Sequence, residues 1–96
     1  MDRLIRYDVA EYKGVKMVVV ESDLLPTDPA VVVIPLLDDY PAVKGLNPEI
    51  AHNGEPLILA TRLITAVRRS SLRRVGSVAD QAGLIHRAVD VLMAGV

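Results

Sequence analysis

Short stretches of alternating apolar and polar residues run through most of the chain, and the period lengthens only after Val78. From Arg3 to Val9 the alternation is rough, with Ile5, Tyr7 and Val9 on one face of an expected strand. Glu11-Tyr12-Lys13-Gly14 reads as a turn. Val15 to Asp23 carries apolar residues on both faces near its middle, the pattern of a central strand. Leu24 and Leu25 follow at the mouth of a loop, which Pro26-Thr27-Asp28-Pro29 keeps free of regular structure. Ala30 to Leu37 is a second apolar strand, predicted to pair with the first as an antiparallel hairpin, with Pro35 marking an edge or a bulge because it has no N–H to donate.

Asp38 to Asn47 reads as irregular. Ile50 to His52 and Glu55 to Thr61 flank Asn53-Gly54, a pair that accepts the positive φ values of a type I′ turn and so predicts a hairpin. Leu63 to Val67 fits a strand or a short helix, Arg68-Arg69-Ser70-Ser71 is a polar break, and Leu72 to Val75 a short strand ending near Gly76. Val78, Ala82, Ile85, Val89, Leu92 and Val96 then recur at spacings of three and four, a stripe along one helix face. Ser77 or Asp80 suits the start of that helix and Gly95 its end. The expectation is a mostly β fold with one C-terminal helix, a small antiparallel barrel formed by residues 1–96 as a single domain.

Composition sharpens this reading. Val (15), Leu (12) and Ile (6) dominate a chain of 96 residues that has no Phe and no Trp, so the core is aliphatic and suited to pleated strands. A monomer of this size leaves roughly a third of its unfolded surface exposed, and the apolar excess therefore suggests a homodimer. The net charge of −1 argues against binding nucleic acid directly by neutralising phosphates. The balance hides an asymmetry, because residues 1–55 carry a net −5 and residues 56–96 a net +4. The two halves face either each other or different partners. The absence of cysteine permits a reducing, cytoplasmic setting and excludes thiol chemistry. The longest apolar run, Ala30 to Leu37, is too short to span a bilayer, so no membrane role is expected.

The candidate chemistry is sparse. Ser70 or Ser71, His86 and Asp90 are the ingredients of a nucleophilic triad but lack supporting spacing. His52 and His86 form no metal-ligand pattern and read as surface or rim histidines. No cofactor is implied. Arg62, Arg68, Arg69, Arg73 and Arg74 are more pointed: they read as a solvated face or as a surface for an acidic protein partner. RNA cleavage would need a nearby acid or aromatic, and no acid lies between Glu55 and Asp80 and no aromatic after Tyr40.

Ser22-Asp23-Leu24-Leu25, then Val33-Ile34-Pro35-Leu36, then Gly54-Glu55 with Thr61 downstream, and a helix ending in Leu92-Met93-Ala94-Gly95-Val96 together resemble the CcdB plasmid-addiction toxins, in order and over almost the whole chain. The resemblance implies an SH3-like barrel with a C-terminal helix, assembled as a homodimer. It implies a non-enzymatic toxin that binds the A subunit of DNA gyrase, traps the cleavage complex and is neutralised by a CcdA-like antitoxin. Carried over by position, the gyrase-binding residues are Leu24 and Leu25, then Asp90, Met93, Ala94, Gly95 and Val96. Ala94 stands where well-studied members have tryptophan, and Met93 replaces an aromatic. Arg68, Arg69, Arg73 and Arg74 are the expected antitoxin contacts. Two alternatives remain open: a MazF-like endoribonuclease on the same barrel, and a degenerate toxin that binds its antitoxin but no longer poisons gyrase.

Overall fold

The computed structural model describes residues 3–95. Among them, seven strands precede one helix: β1 (Asp8–Tyr12), β2 (Val15–Val19), β3 (Ala30–Leu37), β4 (Glu49–His52), β5 (Glu55–Leu59), β6 (Thr65–Arg68), β7 (Arg73–Ser77) and α1 (Ala82–Ala94). The strands form one antiparallel sheet in the order β4-β5-β3-β2-β1-β7, with β6 also on β3. Consecutive strands β6 and β7 therefore lie at opposite ends of the run β6-β3-β2-β1-β7. The run curls into an open half-barrel, and the 3-10 turn Arg69–Ser71 spans the gap between its two edges.

Local chemistry explains most of these elements. Lys13 and Gly14 both take positive φ (49° and 81°) between the paired residues Tyr12 and Val15, so the turn is tighter than Glu11–Gly14 and leaves Glu11 and Tyr12 in β1. Asn53 and Gly54 (53° and 75°) make the expected second turn. β2 pairs with β1 on one side and β3 on the other, and it buries Val18 in one apolar cluster and Met17 and Val19 in a second. Leu63–Val67 follows its strand reading, with β6 from Thr65, and only Leu63 belongs to the preceding 3-10 turn Thr61–Leu63. The irregular segment before β4 is pinned by Asn47, whose amide donates to the Pro41 carbonyl at 3.2 Å, and by the Thr61 hydroxyl, which donates to the Leu46 carbonyl.

Three expectations change. Of the segment from Arg3 to Val9 only Asp8 and Val9 are strand, at the start of β1, and Arg3–Tyr7 is not: Asp8 N–H donates to the Ile5 carbonyl at 3.0 Å, the Asp8 carboxylate accepts the Ile5 N–H at 3.0 Å, and Tyr7 takes φ 72°. An aspartate that bonds nearby backbone offers the chain a turn in place of a ladder. Secondly, Val15–Asp23 ends as a strand at Val19, because Ser22–Leu25 closes a turn of its own. Finally, Pro35 is neither at an edge nor at a bulge. It faces Met17 on β2, and on its other side β3 changes partner from β6 (Val33 opposite Thr65) to β5 (Leu36 opposite Leu59). Its carbonyl accepts the Ala60 N–H at 2.9 Å, so its nitrogen faces the junction where no strand needs a donor.

α1 packs Ile85 and Ala88 into the first cluster beside Val78, Ile34 and Ile50. Ala88 was not in the expected stripe, and Val96 lies outside the described residues. Neither Ser77 nor Asp80 caps α1, whose N-cap is Gln81 with no side-chain cap bond; the Ser77 hydroxyl instead accepts the Ala79 N–H at 3.2 Å, at the 3-10 turn Ala79–Gln81 that leads into the helix. The Gln81 side chain bonds both the N–H (2.9 Å) and the carbonyl (2.7 Å) of Ala51, closing the outer edge of β4. Gly95, at φ 69°, donates its N–H to the Val91 carbonyl at 2.9 Å and ends the helix.

Asp8 knits this frame together. It is 2% exposed, forms an ion pair with Arg74 Nε at 3.2 Å and accepts the Ile5 N–H. Beside it, Tyr7 donates to the Val19 carbonyl (2.7 Å) and accepts the Val78 N–H (2.9 Å), joining β2 to the approach of the helix. Asp8→Ala is expected to cost about 2 kcal/mol in urea unfolding, because it leaves a backbone donor without its partner, while Asp8→Asn retains an acceptor and costs less.

Candidate functional site

The leucine pair sits on a built turn. Leu25 N–H donates to the Ser22 carbonyl at 3.2 Å and Leu24 N–H to the Ser22 hydroxyl at 3.2 Å. Serine two residues before a bonded N–H is a common way of closing such turns. Leu24 is 94% exposed and Leu25 56% exposed, so neither serves the core. Leu25 also borders a cavity of about 460 Å³ floored by Leu4, Val19 and Val31 and flanked by Arg69 and Thr27.

The helix end is the second exposed surface. Met93 is 75% exposed, and Asp90, Ala94 and Gly95 are exposed beside it. Asp90 meets His86 Nε2 at 3.3 Å one turn earlier. These residues line no part of the cavity at Leu25, and α1 packs on the core cluster opposite the one that floors it. The structure therefore joins Leu25 to Arg69 and leaves the helix end as a separate surface of this chain.

The arginines behave differently from one another. Arg73 pairs with Glu11 at 2.8 Å, Arg74 with Asp8 at 3.2 Å and Arg69 with Glu21 at 3.7 Å. The basic half of the sequence thus meets the acidic half within the chain. Arg68 has no carboxylate within ion-pairing distance among the described residues, and with Arg69, Thr27 and Pro29 it borders a second cavity of about 350 Å³. Ser70 and Ser71 lie in the 3-10 turn that follows. Among the described residues, no group of three or more His, Asp or Glu is placed to hold a metal ion.

A model for the CcdB protein family matches residues 6–95. The chain belongs to the CcdB family. No curated protein matches it. Membership places the chain among the toxins of toxin–antitoxin pairs and agrees with the half-barrel and single C-terminal helix described above. No described helix of this CcdB-family chain is long and apolar enough to cross a membrane.

His52 departs from the surface or rim position expected of it. That expectation describes His86, but His52 is 4% exposed, and neither ring nitrogen meets a hydrogen-bond partner in the protein. Two-residue alternation puts it on the inward face of β4 with Ile50, a signal present in the sequence. Burial holds its pKa below the ordinary 6.5, the Lys16 cation lowers it further, and Glu55 opposes both. Folding thus favours the neutral ring. Its contribution to stability is therefore complete above the unfolded value and is lost as pH falls through the lowered folded value. Wild type is expected to lose stability as pH falls below the ordinary histidine value of 6.5, and His52→Gln to show a flatter profile there in urea titrations.

Proposed function

We propose that this chain is a cytoplasmic, homodimeric, single-domain toxin that acts without catalysis of its own, by binding the A subunit of DNA gyrase and trapping the cleavage complex. The carrying observation is the pair Leu24 and Leu25, exposed at 94% and 56% on a turn in a chain that matches the family model throughout residues 6–95. Large aliphatic side chains held out in solvent gain on the order of 2 kcal/mol each when a partner buries them. Asp90, Met93, Ala94, Gly95 and Val96 supply the second contact in this reading. A CcdA-like antitoxin, arriving through an acidic disordered segment, neutralises the toxin. Arg68 is its first expected contact, since Arg69, Arg73 and Arg74 already have carboxylate partners.

The deciding experiment incubates the protein with purified gyrase and supercoiled DNA, and separately with RNA. Linear DNA is expected on denaturing the complex, at a yield that Leu24→Asp lowers at least tenfold. Cleavage of RNA by the protein alone would instead support the endoribonuclease reading. Inert behaviour in both arms, with tight antitoxin binding, would mark a toxin that has lost its activity.

A further inference from the structure

The loop from Val20 to Pro29 joins β2 to β3, and its residues 23–29 are all exposed. The bonds to Ser22 shape the Leu24–Leu25 turn without deciding where the turn sits on the molecule. Two other groups do that. On the incoming limb, Asp23 Oδ1 accepts the Arg6 N–H at 2.8 Å. Arg6 belongs to the Ile5–Asp8 turn, which Tyr7 bolts to Val19 and Val78. On the outgoing limb, Arg69 Nε donates to the Asp28 carbonyl at 3.1 Å and Arg69 N–H donates to the Pro29 carbonyl at 2.7 Å. The same guanidinium lies 3.7 Å from Glu21 on the incoming limb, and its side chain is only 17% exposed. One arginine therefore touches both limbs, and Leu25 borders the cavity beside it.

We infer that Asp23 and Arg69 are positioning residues that hold Leu24 and Leu25 in the pose in which they meet their target. The inference rests on the target-binding reading proposed above. It also gives Arg69 a role different from the antitoxin contact that its place in a basic stretch suggested. The physical case is one of ordering. An exposed leucine pair has no core packing to fix it, and a loop that is mobile in the free protein must be ordered when it binds, which weakens affinity. A carboxylate on a backbone N–H and a guanidinium on a backbone carbonyl are charge-assisted bonds, stronger than neutral ones, and they order the loop in advance. The partner of Asp23 is a backbone donor, so an acceptor oxygen is the first requirement at position 23 and the charge only strengthens the bond. The partner of Arg69 is a carbonyl reached by Nε, which lysine cannot reproduce.

The test uses the full chain and purified gyrase A subunit, with affinity from surface plasmon resonance and amide exchange of Leu24 and Leu25 by NMR. Asp23→Ala and Arg69→Ala are each expected to weaken binding roughly three- to tenfold and to speed exchange at the two leucine amides, while exchange in β2 and β3 stays as in wild type. Asp23→Asn is expected to restore both readouts to near wild type, and Arg69→Lys is not. Should Arg69→Ala fail to fold, Arg69→Lys carries the same expectation. Unchanged affinity in Asp23→Ala and Arg69→Lys overturns the inference, as does an Asp23→Asn variant as weak as Asp23→Ala. Leu24→Ala and Leu25→Ala separate the two levels. If they weaken binding while the anchor variants do not, only the positioning role fails; if they too bind normally, the leucine surface is not the target contact and both readings fall.

Discussion

Gly76→Ala destabilises the protein by about 1 kcal/mol in the expected result, although glycine-to-alanine changes in extended backbone usually help. Alanine gains roughly 0.5 to 1 kcal/mol by restricting the unfolded chain. Against this, a Cβ at position 76 would lie 2.6 Å from His52 Nε2, inside any tolerable contact. Forcing an extra methyl into a filled space costs about 1–3 kcal/mol, so the clash wins. The ring has little freedom to withdraw, because β4 is held by β5 on one side and by the Gln81 side chain on the other. Gly76 also lies next to an irregularity: β7 places Gly76 opposite Val9 and Arg74 opposite Ala10, so Val75 is the extra residue of a bulge. The decisive measurement is a double-mutant cycle by urea unfolding. His52→Ala by itself is expected to cost about 2 kcal/mol through the void it leaves. Combined with Gly76→Ala it should cost much less than the sum, with a coupling of about 1 kcal/mol or more. Additive losses would show that the two residues do not share this space.

Ala94→Trp is expected to increase gyrase-dependent DNA cleavage, lowering the protein concentration needed by about thirty-fold or more. Truncating an aromatic hot spot to a methyl commonly removes on the order of 2 to 4 kcal/mol, and the change here runs the other way. An indole adds buried area and a ring face for a cationic side chain, which the flexible thioether of Met93 does not supply. Ala94 is exposed in the last turn of α1, so the substitution should leave urea stability within about 0.5 kcal/mol of wild type. Deleting Gly95 and Val96 should abolish cleavage. Equal cleavage by wild type and Ala94→Trp, or full activity after the deletion, would remove the helix end from the target-binding surface.

These two predictions draw on different kinds of knowledge. The departure at Ala94 is implied by the resemblance in sequence alone. The clash at Gly76 is not, because His52 and Gly76 are brought together by two strands at opposite ends of the sheet order. The leucine pair falls between the two cases. Its apolar character and its place before Pro26 are written in the chain, but its exposure follows from the Ser22 turn, and its placement from Arg6 and Arg69.

What the sequence alone determined is the set of features whose causes are local. The strand Ala30–Leu37, the Asn53–Gly54 turn, the helix after the 3-10 turn at Ala79 and its glycine stop all depend on neighbours a few positions away. Side-chain period, positive-φ tolerance and missing donors act at that range. Tertiary structure decided what depends on partners distant in sequence. Pro35 is tolerated in a central strand only because β3 changes partners there. The charge asymmetry became internal pairing because β7 lies against β1, placing Arg73 on Glu11 across 62 positions of chain. His52 is buried because β4 turns it toward Gly76, and Arg69 holds a loop because the turn after β6 returns to the end of the β2–β3 connection. A ladder partner, an ion-pair partner and a ring's neighbour are set by topology, and alternation along one segment carries no record of which other segment will arrive beside it.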